Sequence, residues 1–110
     1  MSTVGVLTGL SYVSGIDYYR GINEKASKLM PKGAMMVKNP EIVMVSLDCD
    51  EYVRLLTEHD TDGVCEYLFR GVKKLHSAGI DFLAIASNTA HICHDTVRKR
   101  LPDLPILHIA

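Results

Sequence analysis

Three apolar runs in this 110-residue chain lack the polar alternation of a strand with one wet face: Glu41–Leu47, Phe82–Ala86 and Ile106–Ile109. A fourth β-rich run, Thr3–Thr8, is closed by Gly9. Strands that are apolar on both sides need cover on both sides, and that requirement belongs to parallel sheets flanked by helices. The intervening segments carry helical periodicity. From about Val13 to Met30 the apolar residues Val13, Ile16, Tyr19, Ile22 and Ala26 recur at helical spacing until Pro31 and Gly33 break the pattern. Met35 to Pro40 reads as loop, and Asp48 to Glu58 as a short helix. Thr61-Asp62 is placed to cap the next helix, which carries Val64, Leu68, Val72 and Leu75 on one face and ends at Ala78-Gly79. Thr89 to Leu101 reads as a last helix, stopped by Pro102. The predicted fold is α/β: a parallel four-stranded sheet with helices on both faces.

The length allows one domain, and a hydrophobic content of 47% supplies a core. A net charge of −1 provides no electrostatic footprint for nucleic acid. No apolar run approaches the ~20 residues that span a bilayer, and Met1–Leu7 has no basic segment of the kind that opens a secretory signal. Cys49, Cys65 and Cys93 are odd in number, widely spaced and without a CxxC pair. That pattern predicts reduced thiols and a cytoplasmic setting rather than a disulfide framework. The chain stops at Leu104–Ala110, in or just after an apolar strand, so a fragment or one half of a larger enzyme is expected.

Ligands of parallel sheets bind beyond the carboxyl ends of the strands. Three loops should meet there: Gly9 to Val13, Asp48 to Asp50, and Ser87 to Ala90. Asp81–His91 carries the strongest signal, a buried strand that stops at Ser87-Asn88-Thr89 and starts a helix. Backbone N–H groups at a helix start lack intrahelical partners, and the helix dipole adds positive charge there, so a carboxylate is a suitable ligand. The plain alternative is that Asn88 or Thr89 only caps the helix. Gly9 and Ser11 admit the same two readings, a ligand loop or a βα turn with Ser11 or Ser14 as the cap.

Other clusters have simpler accounts. His91 and His94 share a helix face, which raises a zinc site as a weaker idea, but Cys93 points elsewhere and fits a small buried hydrophobe. Asp48 and Asp50 fit a capped short helix better than paired acid–base groups.

Taken together, these residues resemble the aspartate/glutamate racemase family, the cofactor-independent amino-acid racemases. The resemblance rests on Gly5–Ser14 followed by Asp17–Asn23, on Val45–Asp48, on Ser87-Asn-Thr-Ala-His91 and on Pro105–Ala110. It implies one half of a two-domain, pseudo-symmetric fold whose active site lies in the cleft between the halves. By this resemblance, the second domain is expected to lie outside this chain. One acid/base residue comes from each half, and no cofactor is used. By the same resemblance, Ser87 would take the first acid/base slot, where most members carry cysteine, and Asn88 and Thr89 would hold the substrate, with Ser11 and the Leu10–Ser11 backbone opposite. The implied substrate is aspartate or glutamate, and the implied partner is a second racemase half or a second copy. The rival reading is a binding module for an acidic amino acid or a protein, without turnover.

Overall fold

The computed structural model describes residues 3–9, 12–29, 40–86 and 93–107, with backbone alone for 26–29 and 107. Eight elements follow one another: β1 (Thr3–Thr8), α1 (Tyr12–Leu29), β2 (Glu41–Ser46), α2 (Cys49–Thr57), α3 (Thr61–Ser77), β3 (Phe82–Ile85), α4 (His94–Arg100) and β4 (Ile106–Leu107). The strands form one sheet in the order β2-β1-β3-β4. Every pairing is parallel, with Gly5 opposite Val43 on one side and Leu83 on the other, and Leu83 opposite Ile106. The predicted class and the alternation of elements are therefore present. The predicted start of the last helix, Thr89–Ile92, and the last residues of the fourth strand, His108 and Ile109, lie outside the described residues.

The strand order explains the layering. The chain moves from β1 to β2 in one direction, then crosses back over β1 to reach β3. Right-handed crossovers in opposite directions place their helices on opposite faces. Side chains agree. Gly15 of α1 lies against Thr8, whereas Gly71 of α3 lies against Leu7 and Leu47. Neighbouring residues of a strand point to opposite faces, so α1 and α3 sandwich β1.

The core lies on the α3 side. Leu7, Val64, Leu68, Val72, Leu75 and Leu83 are completely or almost completely buried, and Val97 of α4 joins them. This is the α3 face that the periodicity of Val64, Leu68, Val72 and Leu75 predicts. The α1 side is different. Val6, Ala84 and Ala86 are buried at the middle of the sheet, but Tyr12, Val13, Ile16 and Tyr19 of α1 are 51–72% exposed. Edge strand β2, expected to be covered on both faces, leaves Met44 40% exposed. The helical spacing of α1 predicted a buried stripe. Instead an open groove of about 420 Å³ runs between α1 and β2, lined by Tyr12, Ile16, Tyr19, Ile42 and Met44.

Local chemistry sets the element ends. Asp48 caps α2, its carboxylate accepting from the Asp50 N–H at 3.0 Å. Asp60, rather than Thr61 or Asp62, caps α3 by accepting from the Gly63 N–H at 2.9 Å. Asp60 also closes α2. Its N–H donates to the Leu55 carbonyl while the His59 N–H donates to that of Leu56, each at 3.1 Å, the pattern of a Schellman turn. That turn puts His59 at φ 55°, a left-handed position that glycine fills without steric cost. Gly79 does fill the equivalent place after α3, at φ 84°.

Two substitutions test these assignments. His59→Gly removes the left-handed penalty of about 1–2 kcal/mol, partly offset by the greater freedom of glycine in the unfolded chain. A net gain of roughly 0.5–1 kcal/mol is expected in urea unfolding, and a loss would contradict the turn. Gly15→Ala should do the opposite. A Cβ there meets the Thr8 hydroxyl and lies 2.9 Å from the Thr8 Cβ, which no rotamer change can move. Overpacking of this kind costs about 1–3 kcal/mol, against about 1 kcal/mol gained in helix propensity. A lowered unfolding midpoint is expected, and an unchanged one would show that α1 does not pack this closely.

Candidate functional site

The sheet has its topological switch point at β1 and β3, where successive crossovers leave in opposite directions. Loops that follow two adjacent strands there diverge, and a crevice opens between them. β1 ends at Thr8 and β3 at Ile85, with Leu7 and Ile85 in register. The Ala86 N–H extends the pairing by donating to the Leu7 carbonyl at 2.9 Å. On the other side of β1, the Leu47 N–H donates to the Thr8 carbonyl at 2.8 Å. The three strands from which the predicted site loops leave are therefore hydrogen-bonded side by side up to their carboxyl ends.

Gly9 makes that closeness possible. It sits at φ 92°, and a Cβ there would strike the backbone of Leu47. Any other residue would have to adopt a left-handed conformation and push β2 away as well. The glycine singled out in the sequence is thus explained by packing between strand ends, whether or not a ligand approaches it.

Leu10, Ser11, Ser87, Asn88 and Thr89, the residues to which the resemblance assigns substrate and acid–base roles, lie outside the described residues, as does His91. What the structure describes is their anchorage. Leu10 follows Gly9 directly, and Ser87 follows Ala86, which is completely buried.

The third loop is described in full. Asp48 is held by Tyr67 of α3, whose hydroxyl accepts from the Asp48 N–H at 2.9 Å and donates to the Asp48 carbonyl at 3.2 Å. With its carboxylate committed to the α2 cap, Asp48 is a structural residue, as the simpler reading of Asp48 and Asp50 has it. Sequence reasoning passed over Tyr67. It lies three residues after Val64 on the apolar face of α3, so its spacing marks it as core and says nothing of the loop that its hydroxyl reaches. Thr8, at the carboxyl end of β1, was also missed as a polar group. Among the described residues its hydroxyl is the buried side-chain oxygen that has no hydrogen-bond partner.

The cysteines overturn an expectation. Cys65 of α3 and Cys93, just before α4, are joined in a disulfide, with Cα atoms 5.1 Å apart. Their separation of 28 residues has no motif, so only the packing of α4 on α3 brings them together. Cys93 is buried, as predicted, but as a bonded sulfur rather than a simple hydrophobe. The inference of a reducing compartment loses its premise. Cys93, already set apart from the His91–His94 face, offers zinc no thiolate in the disulfide. Among the described residues no group of three His, Cys, Asp or Glu side chains is placed to hold a metal ion, and no described helix is long and apolar enough to cross a membrane.

Ion pairs lie on the helix surfaces. A hydrogen bond from Arg54 holds the Glu51 carboxyl below its ordinary value of 4.5. A hydrogen bond from Arg100 does the same for Glu66. Both carboxylates are exposed, so these pairs add little to stability; Glu51–Arg54 lies within α2, and Glu66–Arg100 links α4 to α3.

Comparison with known proteins follows the same geometry. The broad specificity amino-acid racemase RacX of Bacillus subtilis (strain 168) is 27% identical over 107 residues, which cover 96% of this chain and 45% of that protein. The crystal structure of a candidate Asp/Glu racemase from Yersinia pestis superposes with a TM-score of 0.87 at 29% identity, covering all of this chain and 46% of the other. An aspartate racemase homologue from Pyrococcus horikoshii OT3 shares the fold with a TM-score of 0.83 at 24% identity, covering 97% of this chain and 44% of the other. The chain thus spans slightly less than half the length of these relatives. The family model described as Asp/Glu/Hydantoin racemase matches residues 7–110, and with nearly the whole chain inside that match, the protein belongs to the Asp/Glu/hydantoin racemase family.

Proposed function

We propose that this chain is the first half of an amino-acid racemase of the aspartate/glutamate type, working without a cofactor. The observation that carries the proposal is the joining of two facts. The chain has the family's fold over nearly its whole length. Its two candidate loops leave adjacent strands at the switch point, where a ligand crevice is expected.

Racemisation removes the α-proton on one face of the substrate and returns a proton on the other. With no cofactor to delocalise the carbanion, two opposed acid/base groups are needed, together with strong stabilisation of the charge that builds on the carboxylate. In this reading Asn88, Thr89, Ser11 and the Leu10–Ser11 backbone hold the amino acid. Ser87 stands on one face of the α-carbon, and the second base comes from the other half of the enzyme. A thiol, with an ordinary pKa of about 8.5, is easily poised near neutrality. A serine hydroxyl needs activation by a neighbour before it can act as a base. The serine therefore favours a slow enzyme, and it also supports a second reading, a half that binds an acidic amino acid without turnover.

The open α1–β2 groove supports association with a second half or a second copy. An exposed patch containing Tyr12, Ile16, Tyr19 and Met44 is costly in water, and such patches mark interaction surfaces.

Incubation with L- and D-aspartate and glutamate in deuterium oxide tests the reaction. Together with a second racemase half, α-deuterium should enter both enantiomers of one substrate. Ser87→Ala should slow this by about 100-fold or more, the usual scale for a lost acid/base group, and Ser87→Cys should speed it. Calorimetric binding with no deuterium incorporation in any of these proteins would replace the racemase with the binding module. Ile16→Glu tests the groove. It should weaken association by roughly tenfold or more by placing a charge in an apolar contact, while the circular dichroism of the chain is unchanged. Undiminished association would move the interface elsewhere.

A further inference from the structure

α4 is a seven-residue helix, too short to persist without tertiary support. It is tied to α3 at both ends. At its start Cys93 is bonded to Cys65. At its end the Arg100 guanidinium pairs with the Glu66 carboxylate and lies over the Phe69 ring, 4.8 Å from the centroid. Between the two ties, Val97 is buried in the core. The ties differ in kind. The ion pair is about half exposed and is screened by water and salt. The disulfide is covalent, and its presence depends on the thiol–disulfide balance of the surroundings.

We propose that Cys65–Cys93 is a reversible oxidation site whose state sets how firmly α4 is docked on α3. Its co-reactants are small thiols and their disulfides, of which glutathione is the common example. Cys65, at 8% exposure against 1% for Cys93, is the less buried of the two, and attack is assigned to its sulfur. In the reductive direction a small thiolate attacks the Cys65 sulfur. The protein S–S bond breaks, a mixed disulfide forms on Cys65, and Cys93 leaves as a thiolate that takes up a proton. A second small thiolate then attacks the small-molecule sulfur of the mixed disulfide. Cys65 is released and protonated, and the small molecule departs as its own disulfide. Two electrons and two protons pass in total from two small thiols to the protein. The oxidative direction reverses these steps and consumes one small disulfide. Cys49, exposed at the start of α2, takes no part.

The design of the pair favours control of α4 over simple reinforcement of the core. Cys65 and Cys93 join two neighbouring elements that already pack through Val97 and Arg100, so reduction leaves the α3 side of the sheet intact and loosens one short helix. Val97 and the Glu66–Arg100 pair then carry the docking. Protonation of Glu66, whose pKa lies below 4.5, removes that pair in acid. Its contribution is therefore present at neutral pH and lost as pH falls through the lowered value.

The test uses the wild-type chain in glutathione buffers of graded ratio. Thiol trapping and peptide mass spectrometry read the Cys65–Cys93 bond. Amide hydrogen exchange reads α4, with α1 as the internal control. The pair should interconvert within the folded protein. On reduction, exchange in residues 94–100 should quicken at least tenfold while that of residues 12–25 is unchanged. The double variant Cys65→Ala, Cys93→Ala should exchange at the reduced rate in every buffer. Reduced wild-type protein gives the same readout with no substitution, so a poorly folding variant does not block the test. Absence of the bond at every ratio, a bond that opens only on global unfolding, or equal α4 exchange in both states would each overturn the proposal. No substrate is involved, so its outcome is separate from that of the racemase reading.

Discussion

Strand β1 is hydrogen-bonded along both edges, to β2 and to β3, and the other elements take their places from that double pairing. Parallel strands cannot be joined by tight turns, so each neighbour of β1 must return through a crossover. Crossovers of fixed hand leaving in opposite directions place α1 and α3 on opposite faces. The same reversal makes the carboxyl ends of β1 and β3 the natural site of a ligand crevice. Layering and site position are therefore consequences of one topological fact.

Close approach secures this arrangement. Gly9 allows the ends of β1 and β2 to meet, with the Leu47 N–H reaching the Thr8 carbonyl. Gly15 allows α1 to rest on Thr8. At the other end of the sheet, Thr3 and Asp81 exchange hydrogen bonds. The Thr3 N–H donates to the Asp81 carboxylate and the Asp81 N–H to the Thr3 carbonyl, both at 2.8 Å. β1 is thus pinned at both ends, and the loops that leave its carboxyl end start from a rigid base. Sites built on such bases hold their geometry better than sites on free loops.

The two faces of the sheet are finished to different degrees. On the α3 side, side chains from three helices close a dry core. On the α1 side, among the described residues, one helix touches the sheet near its carboxyl end and stands off from β2, leaving an apolar groove. On the proposed reading, the apolar surface left there is where a second half or a second copy would dock.

Periodicity and strand patterning by themselves determined the α/β class, the order of the elements and the buried face of α3, and the resemblance of short motifs pointed to the family, because all of these depend on local spacing and on residues adjacent in the chain. The Ser87-Asn88-Thr89 and Leu10-Ser11 candidates came from the same local signals and from the resemblance. Tertiary structure alone decided the rest. The exposure of Ile16 and Tyr19 depends on where α1 stands relative to β2, which helical spacing does not encode. Tyr67 reaches Asp48 from 19 positions away, and Cys65 meets Cys93 across 28. Asp60 took the cap from Thr61 and Asp62 because it also closes the preceding helix. Spacing in a sequence reports which residues share a face. Only the packing of one element on another reports what that face meets.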